Sequence, residues 1–212
     1  MTLLAVDNVV KEYARGLLRR QVTFRLEASF TVERPEIVGV MGPNGSGKTT
    51  LFELITGSNA PTAGRVLCMG QDIHGVKACE RDRLAIHYHQ SYQVRRFRRR
   101  RPDFLLAAAN SDYPMVHLFD EPQFNAQDGY IGFMLDFFRR LKGEGRAVFV
   151  CLHPTESYHL EILREVCERF IFVEKDAACV SRLREAATLR ELVTWPAAAG
   201  YLGSLLAARL AG

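Results

Sequence analysis

The chain has 212 residues, 48% apolar and 25% charged, which suits one well-filled core in a soluble globular protein. Asp7, Lys11 and Glu12 interrupt the early apolar residues, no run approaches membrane-spanning length, and the cysteines at 68, 79, 151, 167 and 179 form no C-x-x-C pair. This pattern argues against a leader, a membrane span, a disulfide framework or a zinc site, and predicts a cytoplasmic location. The net charge of +4 is local: Arg95, Arg96, Arg98, Arg99, Arg100 and Arg101 crowd together, and the rest of the chain is slightly acidic. Attraction to nucleic acid, anionic lipid or an acidic protein would come mainly from that patch.

Residues 1–35 read as mainly antiparallel β structure, because Val22, Phe24 and Leu26 alternate with Thr23, Arg25 and Glu27, and Phe30-Thr31-Val32 precedes the turn at Pro35. Ile37-Val38-Gly39-Val40-Met41 is apolar throughout, as a buried strand is. It leads into Gly42-Pro43-Asn44-Gly45-Ser46-Gly47-Lys48-Thr49, which satisfies G-x-x-x-x-G-K-[ST] at every fixed position, and then into a helix-like segment from Thr50 to Gly57. A loop follows to Gly64, then short strands at 65–69 and 84–89. Apolar runs recur at 115–119, 147–152 and 170–173, separated by helix-like segments near 130–142 and 155–169. That alternation predicts βα units on a mainly parallel sheet, with 36–180 as a core in a single domain. Residues 181–212 read as a C-terminal helical tail: Ala197 to Leu210 is rich in alanine and leucine, suited to a packed helix more than to a membrane-surface helix, since Arg209 is its only charge.

The glycine-rich turn carries the chemistry. Backbone N–H groups at such a turn and at the following helix start converge on a polyphosphate, Lys48 supplies a mobile cation and the Thr49 hydroxyl can hold Mg²⁺. Asn44, Gly45, Ser46, Gly47, Lys48, Thr49 and Thr50 are therefore the expected nucleoside-triphosphate-binding residues. Asp120 and Glu121 close the apolar run at 115–119, at the sheet rim where the turn also opens. Asp120 can hold Mg²⁺ directly or through water, and Glu121 can deprotonate the water that attacks the γ-phosphate. His87 and His89 share a strand face, but without a third ligand at suitable spacing they read as structural or surface histidines.

With Val116-His117-Leu118-Phe119-Asp120-Glu121-Pro122 following Gly42 to Thr49, the chain resembles the ATP-binding-cassette (ABC) ATPase family over most of its length. The resemblance implies an α/β fold: a P-loop NTPase core with a mainly parallel sheet plus an N-terminal antiparallel β subdomain. It implies ATP and Mg²⁺ as ligands and further site residues. Tyr13 looks like the aromatic residue that stacks on adenine. Gln90 is similar to the glutamine that bonds Mg²⁺ and the attacking water, His153 to the switch histidine at the γ-phosphate, and Asp128 to an aspartate one position beyond its usual spacing from Glu121. Glu165 to Val180 resembles the family's final helix, strand and hairpin.

The family's L-S-G-G-Q signature is absent, and the interval from Gln90 to Asp120 is too short for a full helical subdomain, so that subdomain should be reduced. The resemblance implies the ATPase subunit of a membrane transport or export machine, peripheral to the inner face of the membrane through partner subunits, in an ATP-dependent homodimer or heterodimer. A nucleic-acid-directed ATPase and a nucleotide-gated assembly protein with little turnover are the alternatives. One of Arg95, Arg96 or Arg98 would stand in for the signature across the dimer, with Arg99, Arg100 and Arg101 facing an acidic partner or lipid headgroups.

Overall fold

The computed structural model describes residues 2–16, 21–89, 114–122 and 130–207. Gln90, the arginine run and Asp128 lie outside the described residues, as does the interval in which a reduced helical subdomain was expected. The described strands are β1 Leu4–Arg15, β2 Gln21–Val32, β3 Ile37–Met41, β4 Ala63–Cys68, β5 Gln71–Asp72, β6 Ala85–His89, β7 Val116–Asp120, β8 Ala147–Cys151, β9 Arg169–Lys175 and β10 Val180–Ala186. They form one mixed sheet in the order β5-β4-β1-β2-β10-β9-β3-β8-β7-β6. β1 runs antiparallel to β2 and β4, whereas β9, β3, β8, β7 and β6 are mutually parallel.

The parallel part is covered on both faces, and for that reason its strands carry continuous apolar runs. Every residue of β3, β7 and β8 is buried. Helix α1, Lys48–Ile55, lays Leu51, Phe52, Leu54 and Ile55 against Val38, Val40, Leu118 and Phe149 on one face. Helices α3, Tyr130–Gly143, and α4, Ser157–Val166, put Met134, Phe138, Leu160 and Leu163 against Met41, Phe119, Val148 and Val150 on the other. Alternate residues of one strand thus serve opposite cores, as a period of two requires. Phe52 and Phe138 are both fully buried, and each side chain contributes about 2–3 kcal/mol by its transfer out of water.

Two elements depart from the sequence reading. Helix α2, Ala78–Leu84, is seven residues long and rich in charge, too short for a helical apolar period to emerge. At the other end, helical structure begins later than position 181. Val180–Ala186 is β10, pairing antiparallel with β9 and parallel with β2; its exposed Arg182, Arg184 and Glu185 mask the inward Ser181 and Ala186. Helices α5, Leu189–Leu192, and α6, Pro196–Ala207, follow, and Ala198 and Leu202 of α6 are buried on the α3/α4 side of the sheet.

Candidate nucleotide-binding site

The turn after β3 is held by its glycines. Gly42 has φ +151°, and a Cβ there would stand 2.4 Å from the Val173 carbonyl oxygen; Gly47, the residue capping α1, has φ +99°, and its Cβ would stand 2.7 Å from Cζ of Phe24. No larger residue fits either place without moving its neighbours. The result is a tight turn that delivers the first backbone N–H groups of α1 to the pocket.

Lys48 is 7% exposed, and its ammonium donates to the carbonyl oxygens of Gly42 at 2.7 Å and Pro43 at 3.0 Å. Thr49 Oγ1 donates to Asp120 Oδ2 at 2.9 Å. His87 Nε2 lies 3.4 Å from the same carboxylate oxygen. Burial pushes the Asp120 carboxyl up, but hydrogen bonds from His87, Thr49 and the Cys151 thiol outweigh it and hold the group below its ordinary value. Asp120 is therefore a buried carboxylate kept anionic by its neighbours. Cys151 is the opposite case, its thiol raised by burial and by the Asp120 charge.

Glu121 follows at φ +51°, an uncommon conformation for a non-glycine residue. Its N–H donates to the Cys151 carbonyl at 2.9 Å, which ties that turn to β8. Tyr13, Asn44, Gly45, Gly47, Lys48, Thr49, Thr50, Asp120 and Glu121 line one cavity of about 380 Å³ together with Phe24. Ser46 lies within the turn, its Oγ buried and without a hydrogen-bond partner among the described residues. A cationic amine held by loop carbonyls, an orphaned buried hydroxyl and a Thr–Asp pair form a donor set that suits a polyphosphate and a hard divalent cation.

Tyr13 and Phe24 are directly opposed on β1 and β2, with ring centroids 6.0 Å apart and planes at 48°. The Tyr13 hydroxyl accepts from Asn59 Nδ2 at 2.6 Å. His153 does not line this cavity; it follows β8, and its Nδ1 is 2.7 Å from the Tyr201 hydroxyl on α6. Phe24 and Tyr201 are the neighbours that sequence reasoning missed. Alternation on β2 puts Phe24 on one face with Leu26, but its place opposite Tyr13 comes from the register of β1 and β2; nothing local marks Tyr201.

A strand, a glycine-rich turn and a helix facing an Asp-Glu strand end define a P-loop nucleotide-binding protein of mixed α/β fold. A model of the family described as ABC transporter matches residues 26–103. The ATP-binding protein ChvD of Rhizobium radiobacter is 40% identical over 72 residues, 34% of this chain and 23% of its own length. The lipoprotein-releasing system ATP-binding protein LolD of Hydrogenovibrio crunogenus is 37% identical over 86 residues, 41% of this chain and 36% of its own length. This chain thus spans well under half of either relative. A solved ATP binding subunit of an ABC transporter aligns with 98% of this chain and 97% of its own length, at TM-score 0.65 and 19% identity, and shares the fold. Over residues 26–103 the chain is similar to the ABC transporter family, and its fold is that of the solved ATP binding subunit.

Proposed function

We propose that this chain is the ATP-binding, ATP-hydrolysing subunit of a membrane transport or export machine, acting with partner subunits. The observation that carries the chemistry is the Thr49–Asp120 hydrogen bond beside the carbonyl-bound Lys48: hydroxyl, carboxylate and amine lie at one turn, as a metal–triphosphate requires. Lys48 exchanges its carbonyl partners for phosphate oxygens, and the N–H groups of Asn44 to Thr50 cradle the chain of phosphates. Thr49, Asp120 and Gln90 would hold Mg²⁺, which would supply charge neutralisation to the triphosphate. Glu121 takes the proton of the attacking water, and His153 donates to the γ-phosphate. Tyr13 supplies a face for adenine.

The transport reading draws on relatives such as LolD, named for a lipoprotein-releasing system. Among the described residues no helix is long and apolar enough to cross a membrane; in this reading partner subunits hold the chain at the inner face of a membrane. The active form pairs two copies, or this chain and a second cassette protein, across ATP. Phosphate release by the full chain with Mg-ATP, alone and with the subunits that copurify with it, tests both parts. Turnover with a membrane subunit bound supports the reading. Turnover stimulated by DNA or RNA through the Arg95–Arg101 patch, with no membrane subunit recovered, would replace transport with the nucleic-acid reading, and tight ATP binding with no turnover in the complete assembly would favour the assembly protein.

A further inference from the structure

His153 stands in the loop after β8, and α6 brings it a polar contact: Tyr201 Oη is 2.7 Å from Nδ1. The two rings are 5.4 Å apart with planes at 59°. The Tyr201 ring also rests 5.9 Å from that of Phe172, a buried residue of β9. Ala198 and Leu202, on either side of Tyr201 in α6, are buried in the α3/α4-side core. The phenol is therefore anchored by packing on both sides, and its place does not depend on the hydrogen bond it makes.

We infer that Tyr201 is a positioning residue for His153: its hydroxyl donates to Nδ1, fixes the ring, and leaves the single imidazole proton on Nε2. A neutral imidazole carries one N–H, and the nitrogen that accepts a hydrogen bond is the one without the proton. Burial, with Cys151 and Glu121 nearby, pushes the Tyr201 phenol well above its ordinary value, while the Gly42 backbone amide opposes the rise. The hydroxyl thus remains a protonated donor across the physiological range. Donation from Nε2–H is what a phosphoryl oxygen needs, since an unprotonated nitrogen facing phosphate would be repelled. The C-terminal helix is by this route part of the hydrolytic site. The catalytic consequence rests on the γ-phosphate role proposed for His153; the tautomer itself does not.

The test has two independent arms on the full chain. Ring ¹⁵N shifts of histidine-labelled, nucleotide-free protein at pH 8, with the His153 signals assigned from their loss in His153→Gln, should report the Nε2–H tautomer. Tyr201→Phe keeps the ring that packs on Phe172 and should move those shifts toward a mixture of tautomers. An Nδ1–H pattern in the wild type, or unchanged shifts in Tyr201→Phe, overturns the inference. In the kinetic arm, Tyr201→Phe should lower kcat about five- to tenfold, the factor an ordinary hydrogen bond supplies, with KM for ATP within about twofold and an unchanged thermal midpoint. Turnover equal to or above wild type overturns the positioning role. A wild-type chain without turnover in its complete assembly would defeat the hydrolysis reading instead, and the ring shifts alone would decide the tautomer. Should Tyr201→Phe prove unstable, the wild-type shifts decide it in the same way.

Discussion

Thr49 Oγ1 reaches Asp120 Oδ2 at 2.9 Å although 71 residues separate them in sequence. The bond joins the start of α1 to the end of β7, and the pair is the proposed metal seat. Thr49→Val keeps the side-chain shape and removes the donor. It should cost about 1 kcal/mol of stability in urea unfolding. It should also weaken ATP binding about tenfold with Mg²⁺ present, while affinity in EDTA stays as in wild type. Equal losses in both media would mean that Thr49 serves the phosphates without the metal.

Glu121→Gln preserves shape and the hydrogen bond from its N–H to Cys151 while removing the proton acceptor. Phosphate release should fall by on the order of 10² or more with ATP affinity retained. A variant that releases phosphate at the wild-type rate would take the base role away from Glu121.

The opposed rings of Tyr13 and Phe24 lead to a comparison of three variants. Tyr13→Ala should lose about 1 kcal/mol of nucleotide affinity by calorimetry, because a stacking face disappears. Tyr13→Phe removes only the hydroxyl that accepts from Asn59 and should bind nearly as well as wild type. Phe24→Ala should lose a similar amount to Tyr13→Ala, since Phe24 lines the same cavity and abuts Gly47. Losses confined to Tyr13→Phe would point to hydrogen bonding in place of stacking.

His117, fully buried on β7, has its imidazole pushed down to about 3, by burial first and then by the Arg146 charge, with the Pro114 backbone acting the other way. An unfolded histidine takes up its proton near pH 6.5, as in a model peptide, whereas this one stays neutral in the fold to about 3. Between those values the unfolded state holds more protons, so stability falls as pH is lowered, by up to about 1.4 kcal/mol per unit from this group. Urea unfolding at pH 7.5, 6 and 5 should show a shallower pH slope for His117→Phe than for wild type. Parallel slopes would remove His117 from the account of acid sensitivity.

The parts legible in the sequence were those whose signal is local. β3, β7 and β8 are buried on both faces and so appear as unbroken apolar runs, and the phosphate turn is a contiguous pattern whose glycines are fixed by close backbone approach. What stayed hidden depends on tertiary contact. β10 pairs at once with β9 and β2, yet its exposed charges resemble a helix surface. Phe24 meets Gly47, and Tyr201 meets His153 from 48 residues away, because the sheet and α6 bring them there. The buried end of β8 likewise sets the Cys151 thiol against Asp120, a contact that no local pattern marks.

The turn from Gly42 to Thr49 is proposed to bind a nucleoside triphosphate through Lys48. Titration calorimetry of Mg-ATP into the full chain, wild type against Lys48→Ala, tests it directly. Wild type should show saturable binding at one site per chain, and the variant a loss of about 2 kcal/mol, roughly 30-fold, the value of a charge-assisted hydrogen bond. Circular dichroism should confirm that the variant remains folded. Equal affinity in the two proteins, or no binding by the wild type, would contradict it.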